Sequence, residues 1–460
     1  MKKGDIIEIE MENMSFPNKA YGIYEEKKVF SKTNSIIGQK LRGKITKMRK
    51  DRAELGYIEI LEKAPYEIDA ECKHFEFCGG CTWQNIPYEK QLELKSKLVN
   101  RLLQDRVGRK EGFFGIVGSP VTFEYRNKME LTFGNSEING PLTLGLHKRG
   151  SFYDIITVFD CKLMDGNFRK IIKATLELFA KDSLTFYHKK THIGFLRNLI
   201  IRKGEFTGEL LINLVTSSQS DYDMEKWSEM IMNLELDSKI TGIIHTINDN
   251  ISDTVNSEEE RILYGERDFN EKILGLNFKI SPYSFFQTNS LGAELLYSKV
   301  REFISDTKGK VIFDLFSGTG TIGQIVSKDA AYVYGIELIE EAVVKANENT
   351  RLNNIKNCEF IAGDVFEKLK DLSQREIVPD IIILDPPRPG VGNKALEKIL
   401  EYETDKIIYV SCNPKTLATD LDVFIEHGYE VINGVCIDMF PHTPHVETVV
   451  ELSKLKGMPV

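Results

Sequence analysis

The sequence predicts an α/β chain in three parts: a small OB-like β-barrel over residues 1–62, a central α+β segment over 63–280, and a doubly wound parallel sheet over 281–460. Three observations carry this. From about Ser290 the short apolar runs KVIFDLF, AYVYGIEL, NCEFIAGD, DIIILDPP and KIIYVSC alternate with helical stretches, the signature of buried parallel strands with helical crossovers. Before residue 62 the runs IIEIEME, YGIYEEKKVF, KLRGKITKM and LGYIEILE alternate with period two and are broken by Gly, Pro and Asn, which predicts five short strands. Finally, 460 residues is about three times the common domain size, so separate cores are expected.

Taken in order, the barrel carries a basic stripe between Gly38 and Arg52: seven Lys or Arg against the single acid Asp51. Barrels of this kind commonly bind oligonucleotides, and lysines also defend exposed sheet edges. Beyond Pro65 a cysteine-bearing loop leads into a helix over Tyr88–Asp105, with Leu92, Leu98, Leu102 and Leu103 at helical spacing. The central part mixes strands (EYRNKMELTFG, LTLGLHKRG, LRNLIIRKG, GELLINLV) with helices near Phe168–Lys181 and Asp223–Leu234. Hydrophobic residues at 42% and charged residues at 28% are ordinary globular usage, and no apolar run approaches the roughly 18 residues of a membrane span. The opening MKKGDIIEIEMEN has no apolar core of a secretory signal, so a cytoplasmic location is expected. A net charge of −9 argues against a uniformly positive coat, yet a local basic surface suffices for nucleic acid. Nothing in the sequence asks for an obligate protein partner. In a reducing compartment the seven cysteines read as metal ligands or reactive thiols rather than disulfides.

Chemistry concentrates in the last third. After KVIFDLF comes Ser317-Gly318-Thr319-Gly320-Thr321-Ile322-Gly323, and Glu337 ends the next strand 19 positions beyond Gly318. In a Rossmann-like sheet this pairing suits NAD or S-adenosylmethionine equally. Asp314, Asp364 and Asp385 lie at further strand ends. Each acid alone also reads as a helix N-cap, but four in register repel anions and favour a sulfonium cation. Cys412 leaves the fifth strand at the ligand-binding edge, where a thiol is either packed and inert or nucleophilic. A thiolate adding to C6 of uracil would make C5 electron-rich enough to accept a methyl group, after which a base must remove the C5 proton. Glu447, opening the run ETVVEL, is a candidate for that base. His442 and His445 lack an obvious third metal ligand and read as loop-ordering hydrogen-bond partners.

The ordered set SPYSFFQTN, DLFSGTGTIG, GIEL, ILDPPRPG, SCNP and FPHTPHVET, over 281–450, resembles the bacterial RNA uracil-5-methyltransferases that modify 23S rRNA and tRNA. The N-terminal barrel is similar to the TRAM domain that many of these enzymes carry. The resemblance implies an enzyme with Cys412 as nucleophile and Glu447 as base, and with Gln287, Phe316, Thr321, Glu337, Asp364 and Asp385 around S-adenosylmethionine. Ser317 stands where many relatives have a cysteine. The set Cys72, Cys78, Cys81 and Cys161 matches family members that hold a [4Fe-4S] cluster; three thiols within ten residues already suggest a soft metal, with zinc as the alternative. Cys358 and Cys436 read as core, and one of Phe285 and Phe286 as a stacking partner for a flipped base. The cysteine set inclines the RNA target toward 23S rRNA over tRNA. Adenine amino-methylation, suggested by DPPR, and a catalytically silent iron–sulfur RNA-binding protein are the rival readings.

Overall fold

The N-terminal alternation folds into one curled sheet in the computed structural model, which describes residues 1–108, 113–251 and 259–455. Its strand order is Ile6–Glu10, Lys40–Met48, Arg52–Glu62, Lys27–Ser31, Lys19–Tyr24, Asn13–Ser15, six strands where the sequence predicts five. The extra strand is three residues long, too short to show a period. The sheet curls until Gly22 reaches the first strand. A Cβ there would lie 2.0 Å from the Glu10 carbonyl oxygen, so only glycine permits the approach. Three of the seven basic residues of the stripe are answered across the sheet: Lys40 pairs with Glu62 at 3.3 Å, Arg42 with Glu59 at 3.3 Å and Lys47 with Glu54 at 3.8 Å.

The central sheet has seven strands in the order Ile155–Thr157, Thr143–His147, Lys128–Gly134, Leu196–Lys203, Glu209–Thr216, Lys239–Ile247, Glu259–Gly265. The last two are not evident in the sequence, because KITGIIHTI interrupts its apolar run with Gly, His and Thr. Helices Gly166–Lys181 and Met224–Met232 begin where Asp165 and Asp223 accept from the backbone N–H two residues on, at 2.7 and 3.0 Å. They cover one face of the sheet, burying Met129, Leu131, Phe133, Leu199 and Ile201.

The C-terminal sheet runs Cys358–Ala362, Tyr332–Glu337, Val311–Leu315, Ile381–Leu384, Lys406–Ser411, Glu447–Lys454, Tyr429–Ile437, Gly115–Val117. Its first five strands are parallel, as the alternation predicts; Glu447–Lys454 enters antiparallel beside Lys406–Ser411, with Ser411 opposite Thr448. The edge strand Gly115–Val117 and the helix Tyr88–Leu103 precede residue 281 in sequence yet build on this sheet. One apolar core joins the barrel, that helix and one face of the sheet. Among the described residues no helix is long and apolar enough to cross a membrane.

Candidate active site

The strand order reverses beside Val311–Leu315, which opens a crevice at the carboxyl ends of the parallel strands. Leaving Leu315, the chain turns sharply at Phe316, whose φ of 64° is unusual for a bulky side chain. Gly318 and Gly320 continue the turn at 55° and 72° before the helix Thr321–Val326. Glu337 fixes this loop by accepting from Gly318 N–H at 2.9 Å and from Ile339 N–H at 3.0 Å. Asp314, fully buried, accepts from Gly323 N–H at 2.8 Å, while its other oxygen and the Ser317 hydroxyl have no hydrogen-bond partner. Two orphaned buried polar atoms beside a glycine loop fit a ligand that donates to them. Thr321 is buried at the helix start. Asp364 stands exposed at the rim and caps the helix Val365–Gln374 through Glu367 N–H at 3.3 Å, so its capping use is realised.

Gln287 is buried, and its carbonyl accepts from Asn127 Nδ2 at 2.9 Å. Burial pushes the Tyr297 hydroxyl well above its ordinary value, with the charges of Asp385, Asp314 and Glu447 adding to this and the Gln287 side chain opposing it. Of the two adjacent phenylalanines, Phe286 packs in the core against Phe278, whereas Phe285 is 69% exposed beside the crevice. Core packing therefore takes Phe286 and leaves Phe285 available for stacking.

One step past the Ser411–Thr448 pair, Cys412 and Glu447 leave neighbouring strands side by side. Burial pushes the Glu447 carboxyl up to about 8, and Asp385 adds to this while Arg388 opposes it. Burial likewise raises the Cys412 thiol to about 11, with Glu447 and Asp385 reinforcing and Arg388 opposing. Asp385 and Asp314 are each raised to about 7 by burial. Such crowding of buried carboxyls is relieved by a bound cation. Arg388 carries no weight in the sequence reading, although DPPRPG contains it. Its loop is tied down as Asn413 Nδ2 and Thr416 Oγ1 donate to the Arg388 carbonyl at 3.1 and 3.2 Å. Asn127, Tyr297 and the buried pair Lys95–Asp438, 2.6 Å apart, are also absent from that reading; they meet the site across long sequence separations that no local pattern reveals.

His442 orders its loop as expected: its N–H donates to Gln91 Oε1 at 2.8 Å, its ring stacks on Phe123 at 4.4 Å, and its carbonyl accepts from Thr82 and Trp83. His445 is exposed, its ring edge-on to Phe440. Cys358 and Cys436 are buried in strands.

Cys72, Cys78, Cys81 and Cys161 are all buried and line one cavity of about 340 Å³, which Lys128, Glu130 and Thr288 also border. Among the described residues no three His, Cys, Asp or Glu side chains converge closely enough to grip a single metal ion.

A family model described as tRNA (Uracil-5-)-methyltransferase matches residues 88–455. Relatives include a protein described as an uncharacterized RNA methyltransferase of Clostridium tetani, 50% identical over 454 residues and covering 99% of each chain. Another, of Caldanaerobacter subterraneus, is 46% identical, covering 99% of this chain and 100% of that one. Among solved structures, the Pyrococcus abyssi tRNA (uracil-54, C5)-methyltransferase in complex with S-adenosyl-L-homocysteine is similar at a TM-score of 0.76 and 27% identity, covering 97% of this chain and 100% of that one. With this crevice and these likenesses, the chain belongs to the tRNA (uracil-5-)-methyltransferase family of S-adenosylmethionine-dependent RNA methyltransferases.

Proposed function

We propose that this protein methylates C5 of a uridine in RNA through a transient bond between Cys412 and C6. The observation that carries this reading is the emergence of Cys412 and Glu447 side by side, next to Asp385, at the end of the crevice. Gln287, Phe316, Thr321, Glu337, Asp364 and Asp385 would hold S-adenosylmethionine, which supplies an electrophilic methyl group. Cys412 as thiolate, its proton already lost to solvent, would add through Sγ to C6; the displaced electron pair moves to C5, which takes the methyl as its bond to the sulfonium sulfur breaks and S-adenosylhomocysteine is left. Glu447 removes the C5 proton, the C5–C6 double bond re-forms, and the bond to sulfur breaks. Arg388 favours the thiolate, and Phe285 stacks on the extruded base.

Labelled S-adenosylmethionine with unmodified 23S rRNA and tRNA in parallel, followed by nucleoside mass spectrometry, tests the reaction. 5-Methyluridine should appear and vanish with Cys412→Ala; methyladenine persisting in that variant would sink the proposal. Glu447→Gln should slow product formation ~100-fold or more and accumulate an RNA–protein adduct that survives denaturant, because the proton cannot leave. The cysteine set inclines the target toward 23S rRNA. A second reading, tRNA, is favoured by the likeness to the Pyrococcus abyssi enzyme, whose name states a tRNA substrate.

Cys72, Cys78, Cys81 and Cys161 are proposed to hold a [4Fe-4S] cluster. Four cysteines bordering one cavity, with three of them within ten residues, support this reading. Anaerobically purified protein should be brown with about four irons per chain, and stoichiometric zinc would overturn the assignment. The barrel is proposed to act as a TRAM-type RNA-binding unit.

A further inference from the structure

The helices cover only one face of the central sheet. On the opposite face of the strand Lys128–Gly134, the alternate residues Lys128, Glu130 and Thr132 are partly or fully exposed, and Asn198 stands across from Thr132. Lys128 and Glu130 border the cysteine cavity together with Thr288, the neighbour of Gln287. Glu130 and Thr132 border a second hollow of about 160 Å³, lined also by His147 and Lys189. The two hollows share Glu130 as a lining residue.

Two loops, His147–Tyr153 and Phe186–Ile193, carry Lys148, Arg149, Lys189 and Lys190 and no acid. Phe152 is 62% exposed and Tyr153 50%. The His147 ring stacks on Phe152 at 5.9 Å, and the Lys190 ammonium lies 4.2 Å from the Tyr153 ring centre. Exposed rings flanked by cations match the chemistry of unpaired nucleotides, whose bases stack and whose phosphates are anionic. In the barrel stripe, Lys40, Arg42 and Lys47 are engaged by acids of their own sheet.

We propose that this face docks a single-stranded stretch of the substrate RNA, with bases on Phe152 and Tyr153 and phosphates toward Lys148 and Lys190. The proposal rests on the RNA substrate proposed above. The loop bearing three cysteines is its support: Arg149 donates through Nη2 to the Phe75 and Cys81 carbonyls at 2.6 and 2.8 Å and through Nε to the Cys78 carbonyl at 3.3 Å. Gly79 N–H donates to the His147 carbonyl at 3.0 Å.

Fluorescence anisotropy on the full chain, with a labelled single-stranded uridine-containing RNA and its duplex as probes, tests this apart from methyl transfer. Replacing both rings (Phe152→Ala with Tyr153→Ala) should weaken single-strand binding by ~10-fold or more. Duplex binding should weaken far less, and Phe152→Trp should retain affinity. The shift in melting temperature produced by S-adenosylhomocysteine should persist in all variants, which reports intact folding. Single-strand affinity within twofold of the unsubstituted protein, or an equal loss for duplex, would overturn the docking face even if the enzyme methylates uridine. Loss of single-strand binding in a protein that methylates no uridine would keep the docking face and remove the proposed reaction.

Discussion

Glu447 shows how one buried carboxyl ties stability to chemistry. Its folded-state value of about 8 lies above the ordinary 4.5, so the folded chain keeps a proton that the unfolded chain releases. The stability this gives is fully present below pH 4.5 and is lost as pH rises through about 8; Asp314 and Asp385, raised from 3.8 to about 7, add loss in the same direction. Glu447→Gln should therefore melt several degrees higher than the unsubstituted protein above pH 8, and thermal scans across pH check this. Addition needs the Cys412 thiolate and proton removal needs the Glu447 carboxylate, so the rate of 5-methyluridine formation should climb with pH through about 8 and onward toward about 11. Gly320→Ala should cost more than ~1 kcal/mol and abolish the S-adenosylhomocysteine melting shift, since φ is 72° and the new Cβ would lie 2.4 Å from the Phe360 ring. At this scale the positions of Cys412, Asp314, Glu337, Asp364 and Asp385 were legible because each lies at or just past the end of a buried strand in a short motif, and that of Glu447 because it opens one. Arg388, Tyr297 and Asn127 were not, since their roles arise from contacts between distant segments.

Among elements, the parallel strands were readable because burial on both faces makes them continuous apolar runs. Lys239–Ile247 and Gly115–Val117 were not. One is polar-interrupted, and the other is three residues long and is a strand only because Tyr429–Ile437 accepts it. The turn before Gln287 depends on Arg202, which is buried, lies over the Phe269 ring and donates through Nη1 to the carbonyls of Ser281, Pro282 and Ser284 at 2.8, 3.2 and 2.7 Å. A lysine carries charge without the planar fork. Arg202→Lys should destabilise the chain by about 3 kcal/mol in denaturant titrations and raise KM for S-adenosylmethionine by releasing Gln287.

For the whole molecule, the shared core matters more than the linear order of parts. The barrel, the helix Tyr88–Leu103 and one face of the C-terminal sheet bury a common set of apolar side chains. Trp83 Nε1 donates to Asn18 Oδ1 at 2.7 Å and Arg101 Nη1 to the Met14 carbonyl at 3.3 Å. Deleting residues 1–62 should therefore give a chain that aggregates or melts well below full length, measured by sedimentation and calorimetry, although the matched family model begins at residue 88. Composition and period predict three consecutive parts, but Gly115–Val117 and Tyr88–Leu103 cross from the second into the C-terminal sheet through pairings such as Val435 with Gly115, which no sequence period encodes. The grip of Arg149 on the carbonyls of Phe75, Cys78 and Cys81 makes the cysteine-bearing loop and the His147–Tyr153 loop one mechanical unit, so a disturbance of either is carried to the other.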